Sequence, residues 1–180
     1  MKKSIITLFT LFSINFCYSQ TFTLKSPDLG GQFTNEFVAG NFGCNGANKS
    51  PALNWQNIPT GTKSLAVTMY DMDAPTGSGF WHWVVVDIPA NVTGLKQGAG
   101  DVKSSLAPAG SLQSINDVGQ PGYQGPCPGE GDQPHRYLIT VYALKTAKLG
   151  TTSNSTAALS GFMLNKQAIA KASLIVYFKR

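Results

Sequence analysis

The chain contains 180 residues with 14 Lys and Arg against 9 Asp and Glu, which gives a formal net charge of +5. The basic residues are scattered and form no run, whereas a nucleic-acid-binding protein normally clusters them on one face. The composition therefore argues against nucleic acid as a partner. The length suits one domain with a hydrophobic core of its own.

The N-terminus has the pattern of a secretory signal peptide. Lys2 and Lys3 precede an apolar run over residues 5–16, and Cys17 and Ser19 are the small residues at positions −3 and −1 of a cleavage site. The run is shorter than the ~20 apolar residues that a membrane span needs. We therefore predict a signal peptide over residues 1–19, export to the periplasm or the medium, and no integral membrane segment after cleavage.

Export would leave one mature domain, residues 20–180, that contains two cysteines, Cys44 and Cys127. Two cysteines in a small domain often pair in an oxidising compartment, so we expect a disulfide between them. The alternative is two buried thiols that do not meet. A lipid on Cys17 is a further alternative, which the bulky neighbour Phe16 disfavours.

Strand patterns dominate the mature chain. Apolar and β-branched residues alternate or run continuously in four segments, residues 64–70, 82–88, 135–144 and 172–178. A helix is predicted up to residue 172, with Ser160 as its N-cap. Long Gly- and Pro-rich loops lie between these elements, over residues 40–51, 90–113 and 119–134. Together the elements predict a mainly β fold of two packed sheets with one or two peripheral helices.

The two histidines and the tightest acidic pair all lie where strands meet loops. His82 and His135 each open an apolar strand, and Asp71 and Asp73 follow another. Taken singly, each has an ordinary structural explanation, because aspartates bond loop amides and histidines pack at strand starts. Together they indicate a site, since binding residues are often carried on loops at the edge of a rigid scaffold.

Strand alternation separates the residues at the start of the third predicted strand. His135 and Tyr137 share one face, and Arg136 lies on the other. We therefore expect Arg136 to be structural, paired with a carboxylate or a carbonyl behind the site.

These residues resemble the two signatures of the phosphatidylethanolamine-binding protein family. The first, Asp-Pro-Asp-Ala-Pro followed by a Trp-His pair, resembles residues 71–75 and 82–83. The second, a Gly-x-Pro-Pro segment that leads into His-Arg-Tyr, resembles residues 122–129 and 135–137. Residues 116–119 are similar to the bacterial, Raf-kinase-inhibitor-like branch of that family.

The resemblance implies a β-sandwich-like fold with a larger and a smaller sheet, and a shallow pocket for phosphate-, phosphoethanolamine- or acetate-like anions without a cofactor. Carried over position by position, the ligand-binding residues would be Asp71, Asp73, His82, Gly125, Pro128, His135 and Tyr137. The sequence departs from the family pattern at two positions. Met72 replaces a proline, which frees an N–H and loosens the turn, and Gly129 replaces another, which makes that wall more mobile.

An anion pocket that contains two aspartates needs a cation. A nearby carboxylate favours the protonated imidazole, so we expect His82 and His135 to approach a positive charge near neutral pH. The imidazolium N–H groups, the Tyr137 hydroxyl and the loop amides near Gly125 would then donate to phosphate oxygens. Affinity for such ligands should fall as the pH rises past the histidine pKa.

The function favoured by these patterns is a binding module for a small anionic ligand, with an unknown protein partner as a further possibility. One alternative is an inhibitor of an exported protease or other enzyme, because the family includes kinase and serine-protease inhibitors. Another is a weak hydrolase, although the sequence has no Gly-x-Ser-x-Gly and no motif for a reactive cysteine, so we do not predict an enzyme. A metal held by the Asp and His residues is the last alternative, and we favour bonds among these side chains and water instead.

Overall fold

The computed structural model of the protein describes residues 20–180, and the predicted signal peptide over residues 1–19 lies outside the described residues. The described chain contains eight strands and one helix: β1 Thr23–Lys25, β2 Leu53–Gln56, β3 Ser64–Asp71, β4 Phe80–Pro89, β5 Gly94–Leu95, β6 Leu112–Gln113, β7 His135–Leu144, α1 Ala157–Gln167 and β8 Ala168–Phe178. Within residues 20–180, no helix has the length and apolar character needed to cross a membrane.

The strands form two antiparallel sheets. The larger has five strands in the order β6-β4-β3-β7-β8, and the smaller has three in the order β1-β2-β5. The prediction of a mainly β fold with a larger and a smaller sheet and a peripheral helix is therefore confirmed.

The core lies between the two sheets because side chains alternate along the strands. Val67 and Met69 of β3 belong to a buried cluster that also contains Trp55 of β2. Ala66 faces the other way, into a second cluster that contains Leu164 of α1. The central strands are thus covered on both faces, which gives their ends a rigid support.

The four predicted strands are confirmed, and the predicted helix is wrong at both ends. α1 begins after Thr156, whose hydroxyl accepts a hydrogen bond from Leu159 N at 3.2 Å. Ser160 lies inside the helix, buried, with its hydroxyl 3.0 Å from that of Ser114. Residues 168–172, placed in the helix by their apolar spacing, are extended and pair with β7.

Antiparallel pairing brings three sequence-distant segments to one edge of the larger sheet. Asp71, the last residue of β3, pairs with Phe80 of β4 on one side and with Tyr137 of β7 on the other. The C-terminal end of β3 therefore lies beside the N-terminal ends of β4 and β7, where both histidines occur.

Candidate ligand-binding site

A cleft of about 410 Å³ opens at this edge of the larger sheet. Six of the seven ligand-binding residues expected from the sequence line it: Asp71, His82, Gly125, Pro128, His135 and Tyr137. The pairing of β3 with β4 and β7 explains why the polar members meet, since each lies within three residues of a strand end at that edge.

Asp71 and His135 form a buried pair in the cleft. Asp71 Oδ2 lies 2.8 Å from His135 Nδ1, and the side chains are 4% and 7% exposed. The other carboxylate oxygen of Asp71 accepts a hydrogen bond from Asp73 N at 2.9 Å. Because a carboxylate accepts, Nδ1 of His135 carries a hydrogen, and Nε2 is the ring atom left for a guest.

His82 is held differently, by the backbone of the loop before β7. Its Nδ1 lies 2.8 Å from the carbonyl oxygen of Gln124, so Nδ1 is the donor and Nε2 is the acceptor of the neutral ring. Burial lowers the pKa of His82, against the opposing effects of the Gln124 hydrogen bond and the nearby charge of Asp71. The expectation of a protonated His82 near neutral pH is therefore wrong, because desolvation outweighs the carboxylate.

Tyr137 lines the cleft and has a buried hydroxyl without a hydrogen-bond partner in the described chain. Among the buried side-chain polar atoms of residues 20–180, only Tyr137 Oη and Thr151 Oγ1 lack a hydrogen-bond partner. Tyr137 is 0% exposed and packs edge-on against Phe33, with ring centroids 5.4 Å apart. Burial raises the pKa of Tyr137 most, and the Asp71 carboxylate, which approaches the hydroxyl without meeting hydrogen-bond geometry, raises it further, so the hydroxyl stays protonated and able to donate.

The loop that carries Gly125 forms one wall and is clamped by residues 38–48. Gly125 N donates to Asn48 Oδ1 at 2.7 Å, and Ala39 N donates to the Pro126 carbonyl at 3.1 Å. A side chain at position 125 would come within 2.4 Å of the Phe37 carbonyl oxygen, so only glycine fits.

A disulfide joins the same two segments. Cys44 and Cys127 are bonded, with Cα atoms 6.0 Å apart and a sequence separation of 83 residues. Cys127 itself lines the cleft. The crosslink is therefore part of the wall of the site.

Asp73, the seventh expected ligand-binding residue, does not line the cleft. Its carboxylate accepts hydrogen bonds from Arg136 N at 2.7 Å, Nε at 2.9 Å and Nη2 at 2.6 Å. These bonds lower the pKa of Asp73 to about 2. Arg136 is paired with a carboxylate away from His135 and Tyr137, as strand alternation predicts, and Asp73 supplies that carboxylate.

Both departures from the family signatures provide N–H groups that proline lacks. Met72 N donates to the Arg136 carbonyl at 3.0 Å and ties the end of β3 to β7. Gly129 N donates to Asp132 Oδ2 at 2.9 Å and closes the loop before His135. The freed N–H groups are thus used for cross-links, where the sequence suggested a looser turn and wall.

Four of the lining side chains that were not expected from the sequence are aromatic or acidic. Phe42 and Phe80 provide aromatic surface, and Asp117 and Asp132 bring two further carboxylates. The position of Asp132 in the sequence could have indicated its place in the site, because it lies three residues before His135 and follows the predicted site residues Gly125 and Pro128 on the same loop. The sequence carried no such indication for Phe42, because it is brought in by the segment that holds Cys44.

The fold and the cleft define a small β-sandwich protein with a pocket at one end of its larger sheet. A sequence profile of phosphatidylethanolamine-binding proteins matches residues 25–179. The UPF0098 protein YbcL of Escherichia coli (strain K12) is 47% identical over 176 residues, which are 97% of this chain and 96% of YbcL. The crystal structure of E. coli YbcL superposes with a TM-score of 0.86 and 48% identity, over 88% of this chain and 98% of that one. The chain belongs to the phosphatidylethanolamine-binding protein family.

A further relative bears on the cellular location. A Mycobacterium tuberculosis (strain ATCC 25618 / H37Rv) protein named as a lipoprotein, LppC, is 39% identical over 106 residues, which are 59% of this chain and 48% of LppC.

Proposed function

We propose that this protein is an exported binding protein whose cleft holds a small phosphoryl head group. The observation that carries the proposal is the hydroxyl of Tyr137, a residue that lines the cleft: the hydroxyl is buried and has no hydrogen-bond partner within residues 20–180. Leaving a buried hydroxyl unpaired costs about 1–3 kcal/mol, so native proteins seldom retain one without a use. A tetrahedral oxyanion in the cleft would accept the missing hydrogen bond.

The neighbouring groups complete a plausible binding set for such a guest. Asp71 holds His135 by Nδ1, so protonation of Nε2 makes His135 a second donor, and charge-assisted bonds of this kind are the strong ones. His82 stays neutral with Nε2 as an acceptor, which suits a hydroxyl or an amine of the guest. In this proposal His135 binds the anion and His82 does not.

Export is supported by three independent features. Residues 1–19 have a signal-peptide pattern, and the Cys44–Cys127 disulfide is typical of oxidising compartments. A relative named as a lipoprotein is the third. The proposed location is therefore the periplasm or the medium.

The binding proposal is tested by comparing the anion affinity of the native protein with that of a variant at His135. Sulfate is the probe because it is a tetrahedral dianion whose charge does not change between pH 5 and 8. Calorimetry at a single pH should show that the variant binds sulfate about 10- to 150-fold more weakly than the native protein, the effect of losing one charge-assisted hydrogen bond. O-Phosphoethanolamine should displace the sulfate.

The matched variant is His135→Asn, whose amide nitrogen takes the place of Nδ1 and can still donate to Asp71, but which has no counterpart of Nε2. An unchanged sulfate affinity in the variant would refute the role given to His135. No measurable binding of either anion would refute the proposed function.

A further inference from the structure

The side-chain amide of Asn48 pairs with the backbone of residues 123–125. Gly125 N donates to Asn48 Oδ1 at 2.7 Å, and Asn48 Nδ2 donates to the Tyr123 carbonyl at 3.4 Å. An amide that accepts from one residue and donates to the residue two positions earlier takes the place of a neighbouring strand. Because backbone groups alternate in direction along an extended segment, the N–H and C=O groups of Gln124 then face the opposite side.

The opposite side of this segment is occupied by His82. Gln124 N donates to the His82 carbonyl at 2.9 Å, and His82 Nδ1 lies 2.8 Å from the Gln124 carbonyl oxygen. Gln124 therefore contacts both the backbone and the ring of His82. Because burial lowers the pKa of His82, the ring is neutral, and a hydrogen on Nδ1 leaves Nε2 as the acceptor of a ring that lines the cleft.

Asn48 is itself held by its own backbone. Its φ of 51° lies in the left-handed region, which asparagine adopts more readily than most residues. Asn48 N donates to the Val38 carbonyl at 2.8 Å, and the N–H groups of residues 46, 47 and 49 donate to carbonyls within residues 35–39. The amide of Asn48 thus projects toward residues 123–125 from a segment that several hydrogen bonds fix.

We propose that Asn48 is a positioning residue that, through residues 123–125, directs the Gln124 carbonyl at His82 and so keeps Nε2 of that ring open as an acceptor. Which ring nitrogen carries the hydrogen is set by the bond that the other groups offer it. Without the Asn48 side chain, Gly125 N and the Tyr123 carbonyl would have to find other partners, because unpaired buried backbone groups are costly. The Gln124 carbonyl between them would then lose its fixed direction.

The inference deepens the proposed binding function, in which His82 Nε2 accepts from the guest, but its test uses the protein without a guest. The chain contains two histidines, so proton–nitrogen correlation spectra of protein labelled with nitrogen-15 give two sets of ring signals, which His135→Asn assigns. At pH 7.5 the native His82 should carry its hydrogen on Nδ1. In Asn48→Gly the ratio of this tautomer to the Nε2–H tautomer should fall about five- to tenfold, the effect of losing one neutral hydrogen bond.

Glycine is the informative replacement because it adopts the left-handed backbone of position 48 without strain, so the side chain is removed and the turn is kept. Asn48→Ser, whose side chain is shorter, repeats the comparison as a second variant without the amide. Asn48→Asp keeps an acceptor for Gly125 N and loses only the longer bond to the Tyr123 carbonyl. Its tautomer ratio should therefore stay within about twofold of the native value.

The matched control is Asn57→Gly. Asn57 also has a left-handed backbone, with a φ of 59°, and its side chain donates to the Thr21 carbonyl at 2.9 Å, but it does not line the cleft. Neither histidine should change in this control. His135 is an internal reference in the Asn48 variants, because its Nδ1 is held by Asp71 rather than by residues 123–125.

The inference is overturned if Asn48→Gly and Asn48→Ser keep the native ratio at His82, or if Asn48→Asp falls as far as Asn48→Gly. An equal change at His135, or at His82 in Asn57→Gly, would overturn it too, since the effect would then be a general loosening. A native His82 with its hydrogen on Nε2 would do the same. Because these spectra need no anion, a failure to bind sulfate would refute the proposed function and leave the result for Asn48 standing.

Discussion

Replacing Tyr137 by phenylalanine should change stability and binding in opposite directions. The substitution removes one oxygen and leaves the ring, which is 0% exposed and packed against Phe33 at 5.4 Å. The hydroxyl has no hydrogen-bond partner within residues 20–180. Tyr137→Phe therefore relieves a desolvation penalty without breaking a bond.

The magnitudes follow from these contacts. An unpaired buried hydroxyl costs about 1–3 kcal/mol, and the small void left by the oxygen offsets part of the gain, so we expect the free energy of unfolding to rise by about 1 kcal/mol. Losing a hydrogen bond to a charged guest costs about 1.5–3 kcal/mol, which weakens O-phosphoethanolamine binding about 10- to 150-fold. Urea unfolding in phosphate-free buffer and calorimetry measure the two quantities.

Tyr123→Phe is the control, because it makes the same chemical change at a satisfied hydroxyl. Tyr123 Oη donates to the Phe37 carbonyl at 2.8 Å, so its loss should destabilise the protein by about 1–3 kcal/mol. A Tyr137→Phe variant that is destabilised to the same degree, with unchanged affinity, would refute the reasoning. The hydroxyl would then have a structural partner and no part in binding.

Two further predictions concern stability. Replacing both Cys44 and Cys127 by alanine should lower the free energy of unfolding by about 4 kcal/mol, which is the chain-entropy value for a loop of this size. Urea unfolding measures this change, and a decrease of less than about 1 kcal/mol would contradict the prediction. The hydrogen bonds to Arg136 lower the pKa of Asp73 to about 2. The ion pair therefore contributes its full stabilisation above the ordinary carboxyl pKa of 3.8, and this contribution is lost as the pH falls from 3.8 through about 2. Unfolding measured between pH 2 and 5 should give a shallower pH dependence for Asp73→Asn than for the native protein, and equal slopes would refute the assignment.

The sequence predicted those parts of the fold that depend on local periodicity. β3, β4 and β7 are long, apolar and covered on both faces, so their patterns are strong. The strands β5 and β6 have two residues each, and they form because β5 pairs with β2 and β6 pairs with β4. A two-residue strand has no periodicity to detect.

The prediction of the helix ends was wrong for a physical reason as well. Thr156 and Ser160 are both good N-cap residues, and sequence alone does not decide between them. Residues 168–172 combine alanine with spaced apolar side chains, which fits a helix locally, but pairing with β7 provides a hydrogen-bonded alternative.

The candidate site likewise has features that local sequence patterns predict and features that they do not. The shared face of His135 and Tyr137 follows from alternation along a single strand, and the burial of both bears it out. The identity of the carboxylate that pairs with Arg136 and the approach of Asp132 to His135 Nε2 depend on how separate segments fold against each other. The protonation state of His82 depends on its burial, which neighbouring residues in the sequence do not reveal.

The crosslink through Cys127 links the maturation of the pocket to the redox state of its surroundings. With both thiols reduced, the two sheets keep their own pairing, but the wall is held to residues 38–48 by hydrogen bonds such as that between Asn48 and Gly125. Oxidation then fixes the wall beside the donors on β7. In the proposed exported protein, the wall of the pocket would therefore be fixed covalently only after the chain has reached an oxidising compartment.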